Sequence, residues 1–372
     1  MTPPPDADSY QTRPAQPPCE AATPPHDLSW ALLGEHGLRA GWAAFLFLAL
    51  YYAFVPVIDT LLVTFVPSIA GSGFSPRRVV AGEVGPVLSM IAAALFIARI
   101  ERRRLLDYNL IGPRPLLRLA TGLLSGFAAL SLLVGVQSLG GWLQFTSTAL
   151  SSGAIVRYGI IWAVAFLLVG LSEEGRFRCF LQFILARGLN FLWALALVTA
   201  IIVAASLNEN SHGLAGLYAI AALGIVPCAW IHHVRHPRSG FWQAAWATSV
   251  GFGALHTTNR GETAVGIFSA AFIGFVFCAS IRVTGSAWWA IGCHAAWDWA
   301  ETFFYGTADS GFPARSHLLT ATPVGNPLLS GGSAGPEGSL LAAPVCLVLL
   351  AVLALAYRRS NALALATEHT SG

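Results

Sequence analysis

The sequence predicts an all-α fold, a polytopic integral membrane helical bundle of about eight to ten transmembrane helices. Three observations carry this reading. Of the 372 residues, 55% are hydrophobic and only 10% charged, whereas a soluble domain carries about 25% charged residues. Apolar segments recur at roughly 42–66, 79–100, 117–140, 154–187, 190–207, 213–232, 241–257, 263–281, 285–305 and 339–357, and most reach the roughly 20 residues that cross a bilayer as a helix. Ionisable residues concentrate in the connections between those segments, apart from a few islands at depth.

Taken in order, residues 1–28 hold eight prolines with Asp, Ser, Thr and Gln and few large apolar side chains. Such a stretch cannot bury enough surface to offset its ordering entropy, so a disordered tail is expected over 1–38. It lacks the basic start and apolar core of a signal peptide. The membrane domain follows at 39–305, its polar islands concentrated in 155–305. Residues 306–338, rich in Gly, Ser and Pro, are expected to form an exposed loop before a final span and tail at 339–372. All 21 basic residues are arginine. Six of them (Arg99, Arg102, Arg103, Arg104, Arg114 and Arg118) crowd the connection after the second segment, which the positive-inside rule places in the cytoplasm. Counting outward, the 232–238 connection and Arg358-Arg359 fall on the same side, while Arg77 and Arg78 fall opposite. A net charge of +3, confined to connections, argues against a nucleic-acid partner. The six cysteines lack C-x-x-C spacing, and five sit in apolar stretches, which supports neither a disulfide framework nor a thiolate metal site.

The fourth segment is interrupted by Ser172-Glu173-Glu174-Gly175-Arg176-Phe177-Arg178. Each ionisable residue at a helix centre costs about 2.5–3.5 kcal/mol on insertion scales, so four together point to a functional site. Glu174 and Arg178 are four apart and share a helical face, which allows a charge-assisted pair that lowers the cost of burying both. Glu173 lies about 100° round the helix and points elsewhere, free for chemistry. A polar helix end with arginines reaching to headgroups is the simpler alternative.

Two further islands follow. Gly251-Phe252-Gly253-Ala254-Leu255-His256-Thr257-Thr258-Asn259 ends the seventh segment, and Cys293-His294-Ala295-Ala296-Trp297-Asp298 lies within the ninth, with His294 and Asp298 on one helical face. A carboxylate and a neutral imidazole can hold a water and remove its proton. A second imidazole with a hydrogen-bonding neighbour can stabilise the oxyanion formed when that water attacks a carbonyl. These are the parts of a peptide hydrolase without a covalent nucleophile. Singly, each piece has a simpler explanation: His256 as an interfacial histidine, His294 with Asp298 as a structural pair hidden from lipid, the 232–236 histidines as a juxtamembrane rim, and Trp288, Trp289, Trp297 and Trp299 as aromatic-belt and packing residues. Glu83 and Asp59 are lone acids without an obvious partner.

The ordered trio Glu173-Glu174-x-x-x-Arg178, Phe252-x-x-x-His256 and His294-x-x-x-Asp298 resembles the three motifs of the CPBP (Abi) family, which includes type II CAAX prenyl endopeptidases and bacteriocin-processing or bacteriocin-immunity membrane proteins. The resemblance covers about 155–305. It implies that Glu173 and His256 activate water, that Glu174 pairs with Arg178, that His294 with Asp298 forms the oxyanion site, and that Phe252 and Asn259 support them. It further implies an intramembrane endopeptidase acting on a peptide or protein at the lipid bilayer, expected in a bacterial inner (plasma) membrane. No cofactor is required on this reading. Zinc on Glu173, His256 and His294 is the alternative, since family members have been classed as metalloproteases. Three departures stand out: Cys179 where the family commonly has glycine, Asp298 where asparagine is frequent, and an additional helical hairpin at about 190–235. The competing function is a non-catalytic binding scaffold or small-solute carrier that uses the same polar cavity.

Overall fold

The computed structural model describes residues 32–34, 37–66, 74–147, 150–211, 213–259, 261–313 and 315–370. The expected disordered tail at 1–38 therefore lies almost wholly outside the described residues. Each apolar segment is a helix: α1 (Ala40–Phe65), α2 (Pro76–Glu101), α3 (Pro115–Leu139), α4 (Ser152–Glu174, running on to Ala186), α5 (Phe191–Ser206), α6 (Leu214–His233), α7 (Ser239–His256), α8 (Ala264–Thr284), α9 (Trp288–Trp299, running on to Tyr305) and α10 (Ala342–Thr370). Their ends carry ordinary signals. Pro76 and Pro115 open α2 and α3 in the first turn, where no intrahelical N–H is lost. Asn190 and Thr263 cap α5 and α8 by accepting from the backbone N–H of Trp193 and Gly266. Gly285, at φ 78°, ends α8 in the left-handed conformation.

The helices are all-α and polytopic as expected, but they divide into two kinds. Six are long and apolar enough to cross a membrane (α1, α2, α3, α4 to Ala186, α6 and α8), while α5 and Ala342–Ala356 of α10 are apolar but shorter. Large apolar side chains on the outer faces, such as Phe45 on α1, Leu124 on α3 and Leu192 on α5, are exposed and suit lipid contact. The 18-residue α7 and 12-residue α9 do not fall in the spanning class. They are enclosed by the others: every residue from Trp289 to Asp298 is buried, as are Gln243, Thr248, Ser249, Phe252 and Gly253 on α7. Helices surrounded by protein have no need of a continuous apolar surface, and this frees them to carry polar side chains.

Close backbone approach sets α9. A Cβ at Gly122 would come within 2.2 Å of the Trp289 carbonyl oxygen and one at Gly126 within 2.0 Å of the Cys293 carbonyl oxygen, while one at Gly292 would meet the Leu119 carbonyl oxygen at 2.4 Å. This is a small-x-x-x-small crossing, in which missing side chains let two backbones touch. From the other side, Gly170 of α4 lies against the Ile291 carbonyl. The hairpin α5–α6 packs behind α7, with Ala194, Val198, Leu217, Ile220 and Cys228 joining Val250 and Ala247 in one apolar cluster.

Alternating helix direction gives the bundle an arginine-rich end and an opposite end. At the first, Arg187 reaches Glu101 at 2.8 Å. At the second lie the 257–263 connection and residues 306–341. The exposed loop expected at 306–338 is instead a folded strap. Leu319–Pro323 pairs antiparallel with Leu143–Ser147, Ala308–Asp309 pairs with Phe312–Pro313, and Ala334, Pro336 and Ser330 are buried. Gln137 of α3 anchors the strap, donating to the carbonyls of Leu329 and Pro336 and to Ser339 Oγ. The Gly, Ser and Pro content that reads as a loop serves here to let the backbone lie close against helices.

Candidate active site

The first motif sits where α4 stops being a regular α-helix. Gly175–Leu181 forms a π-helical segment, a rare wider turn often found at functional sites. It follows directly on Glu173 and Glu174, so the two carboxylates end one helical register and Arg178 belongs to the next. The expected pair forms: Arg178 Nε lies 3.1 Å from Glu174 Oε2, with both side chains fully buried. Aromatic faces line the guanidinium, with Phe252 at 4.3 Å, Phe277 at 5.4 Å and Phe177 at 5.6 Å from Cζ to ring centroid.

Glu174 does more than pair with arginine. Its other oxygen, Oε1, accepts a 2.8 Å hydrogen bond from His294 Nδ1. Because a carboxylate can only accept, Nδ1 carries the proton, and Nε2 is the nitrogen turned toward Asp298 Oδ2 at 3.4 Å and Glu173 Oε2 at 3.8 Å. His294 thus stands among three carboxylates, with Phe277 stacked on its ring at 5.6 Å and Phe252 edge-on at 6.0 Å. On α7, His256 Nδ1 donates to the carbonyl of Phe252 at 2.9 Å, which leaves Nε2 with its lone pair free to take a proton. Phe252 touches His256, His294 and Arg178 alike, and so spaces the three motifs.

Glu173, His256, Asn259, His294 and Asp298 line a single cavity of about 370 Å³, with Phe252, Phe277 and Trp297 in its walls. Glu174 and Arg178 lie behind the wall. Cys179, the departure from glycine, is buried against Ala287 and Ile291 and acts as an apolar filler. Of the tryptophans expected as aromatic-belt and packing residues, Trp289 and Trp297 are buried, and the indoles of Trp288 and Trp299 donate to the carbonyls of Leu110 and Gly159.

Several lining residues escape sequence reasoning. Glu83 of α2, legible only as a lone acid, faces the cavity near Glu173 and Arg176. Ser269 of α8 also lines it. Asp309, Ser310 and Glu337 reach it from the strap, and nothing in the chain between Asp298 and Glu337 signals that return. Outside the helices, burial followed by the charges of Asp298 and Glu337 pushes the Asp309 carboxyl well above the usual carboxylate range. Burial, with Glu337 next, pushes the Glu262 carboxyl up to about 8.

A zinc site would require Glu173, His256 and His294 to converge on one point. Among the described residues their ligand atoms do not all lie within 4.8 Å of one another, a condition met only by Glu301, Asp309 and Glu337. The three do not form a preassembled zinc site.

No curated protein and no solved structure matches the chain. A family model does, over residues 228–300, a stretch that holds His256, His294 and Asp298 and begins after the Glu173–Arg178 motif. Within a bundle of helices long and apolar enough to span a membrane, residues 228–300 are thus similar to the family described as type II CAAX prenyl endopeptidase, Rce1-like.

Proposed function

We propose that the protein is an intramembrane endopeptidase that cleaves a membrane-associated peptide or protein with an activated water and no covalent enzyme intermediate. One observation carries the reading: a carboxylate, Glu173, and an imidazole with a free Nε2, His256, share a cavity with the carboxylate-flanked His294. In this reading Glu173 and His256 Nε2 together activate the water, and the proton they take from it passes from this pair to the leaving amine as the C–N bond breaks. His294 Nε2 donates to the developing oxyanion, which requires both ring nitrogens protonated at that moment. Asp298, 3.4 Å from Nε2, aligns the ring and is itself paired by it. Glu174 and Arg178 support this from outside the cavity. Arg178 holds Glu174, and Glu174 holds His294 Nδ1. Low-dielectric walls of phenylalanine and tryptophan strengthen each of these interactions.

The substrate class follows from place rather than from a recognition pocket. The cavity is built among helices long and apolar enough to span a bilayer, so a chain that enters it is already at the membrane. Purified full-length protein should cleave a suitable membrane-anchored peptide. Glu173→Ala, His256→Ala and His294→Ala should each lose about 10²-fold or more while remaining folded. Full activity in Glu173→Ala would end the proposal. Unchanged activity after chelation of zinc is expected, and loss restored by zinc alone would revive the metal reading. A chain that binds peptide but never cleaves it would be a scaffold.

A further inference from the structure

Three clustered acids, two of which line the cavity, belong to no step of the reaction above. Glu301 follows Asp298 on the π-helical end of α9, Asp309 lies on the short strand Ala308–Asp309, and Glu337 sits in the turn Pro336–Gly338. Each offers a carboxylate oxygen, and these oxygens all lie within 4.8 Å of one another. Asp309 Oδ2 accepts from Thr302 Oγ1 at 2.9 Å, and Glu337 Oε1 accepts from the Ser310 N–H at 3.0 Å and from its hydroxyl. Glu301 differs from both. It is fully buried, neither of its oxygens has a hydrogen-bond partner, and the Trp297 indole lies beside it without making a well-formed bond.

Among the described residues, none of the three acids makes an ion pair with a basic side chain. Three carboxylates this close repel one another unless a cation or protons intervene. A buried acid with both oxygens bare, aimed at two others, is an incomplete shell. The geometry points to a divalent-cation site in which Glu301, Asp309 and Glu337 hold one hard ion of the calcium type. All-oxygen, carboxylate-rich donors on a helix end, a short strand and a turn select calcium, magnesium or manganese over zinc. Such an ion would tie the strap to the helix that bears His294 and Asp298, at the rim of the cavity that Asp309 and Glu337 share with Glu173. The site stands apart from the peptidase reading, and binding alone tests it.

The experiment is equilibrium dialysis of purified full-length protein in nanodiscs, stripped with chelator and titrated with radiolabelled calcium, with magnesium and manganese as competitors. Thermal unfolding is followed in parallel. One ion per chain is expected, together with a rise in Tm. Asp309→Asn and Glu337→Gln should each weaken binding by at least about tenfold and cancel the rise in Tm. Glu337→Asp, which keeps the charge and only shortens its reach, should fold and bind more weakly than wild type. Stripped wild-type protein that takes up no calcium, magnesium or manganese would overturn the site, leaving three acids that share protons. Binding unchanged in the folded Glu337→Asp variant would overturn it too, by placing the ion elsewhere.

Discussion

Arg178 shows how a single side chain can make a polar centre possible inside an apolar bundle. It is fully buried, faces Glu174 at 3.1 Å and is lined by three phenylalanine rings, so its charge is met by a carboxylate on one side and by ring quadrupoles on the others. Removing one member of a buried pair leaves the other uncompensated, so Arg178→Ala should lose about 3–5 kcal/mol of stability. It should also lose most activity, because Glu174 also holds His294. Glu174→Gln combined with Arg178→Met should recover much of the stability but not the activity. Thermal unfolding and peptide cleavage on the same preparations check both statements. Glu262 makes a different statement about burial. Its carboxyl titrates near 4.5 in the unfolded chain and at about 8 in the folded one. Between those values the unfolded state has released a proton that the folded state retains, so stability falls as pH rises from about 4.5 to about 8 and is flat outside that window. Glu262→Gln should flatten that slope, read as Tm against pH. An unchanged slope would assign it to other acids.

The elements that matter most are those whose regularity is broken or whose side chains are missing. The π-helical turn after Glu174 takes Arg178 out of the simple α-helical register, yet the pair predicted from four-residue spacing still forms. A second π-helical turn carries Glu301 away from Asp298, although His294, Asp298 and Glu301 are spaced to share one face in the sequence. The crossing of α3 and α9 rests on Gly122 and Gly126, whose bare Cα atoms touch the carbonyls of Trp289 and Cys293. Gly126→Leu should therefore force the helices apart. Overpacking of this kind costs about 1–3 kcal/mol, and because Cys293 precedes His294 the shift should lower kcat by more than it raises KM. Unaltered kinetics with a lowered Tm would show that α9 is positioned by α4 instead.

For the whole molecule, the arginine-rich end bearing Arg104 and the end bearing the strap are separated by the length of the bundle. The positive-inside rule then predicts that the strap end faces away from the cytoplasm. With single cysteines in an otherwise cysteine-free chain, a membrane-impermeant maleimide applied to intact cells should label Thr258→Cys and spare Arg104→Cys, both exposed positions. The reverse pattern would invert the orientation and make Arg77 and Arg78 the residues that obey the rule.

By itself the sequence determined the fold class, because apolar length and the exclusion of charge are properties of local composition that lipid enforces segment by segment. It also marked Glu173, His256, His294 and Asp298 as candidates for one site, since ionisable groups in apolar helices need a reason to be there, and all four line one cavity. Only the tertiary structure decided that α7 and α9 are enclosed rather than lipid-facing, that His294 rests on Glu174, and that Asp309 and Glu337 return to the cavity. Those facts depend on backbone contacts at glycines and on a strap of small residues, and neither leaves a periodic signal along the chain. Which residues meet across the bundle is set by how closely helices approach, a quantity that exists only once they have packed.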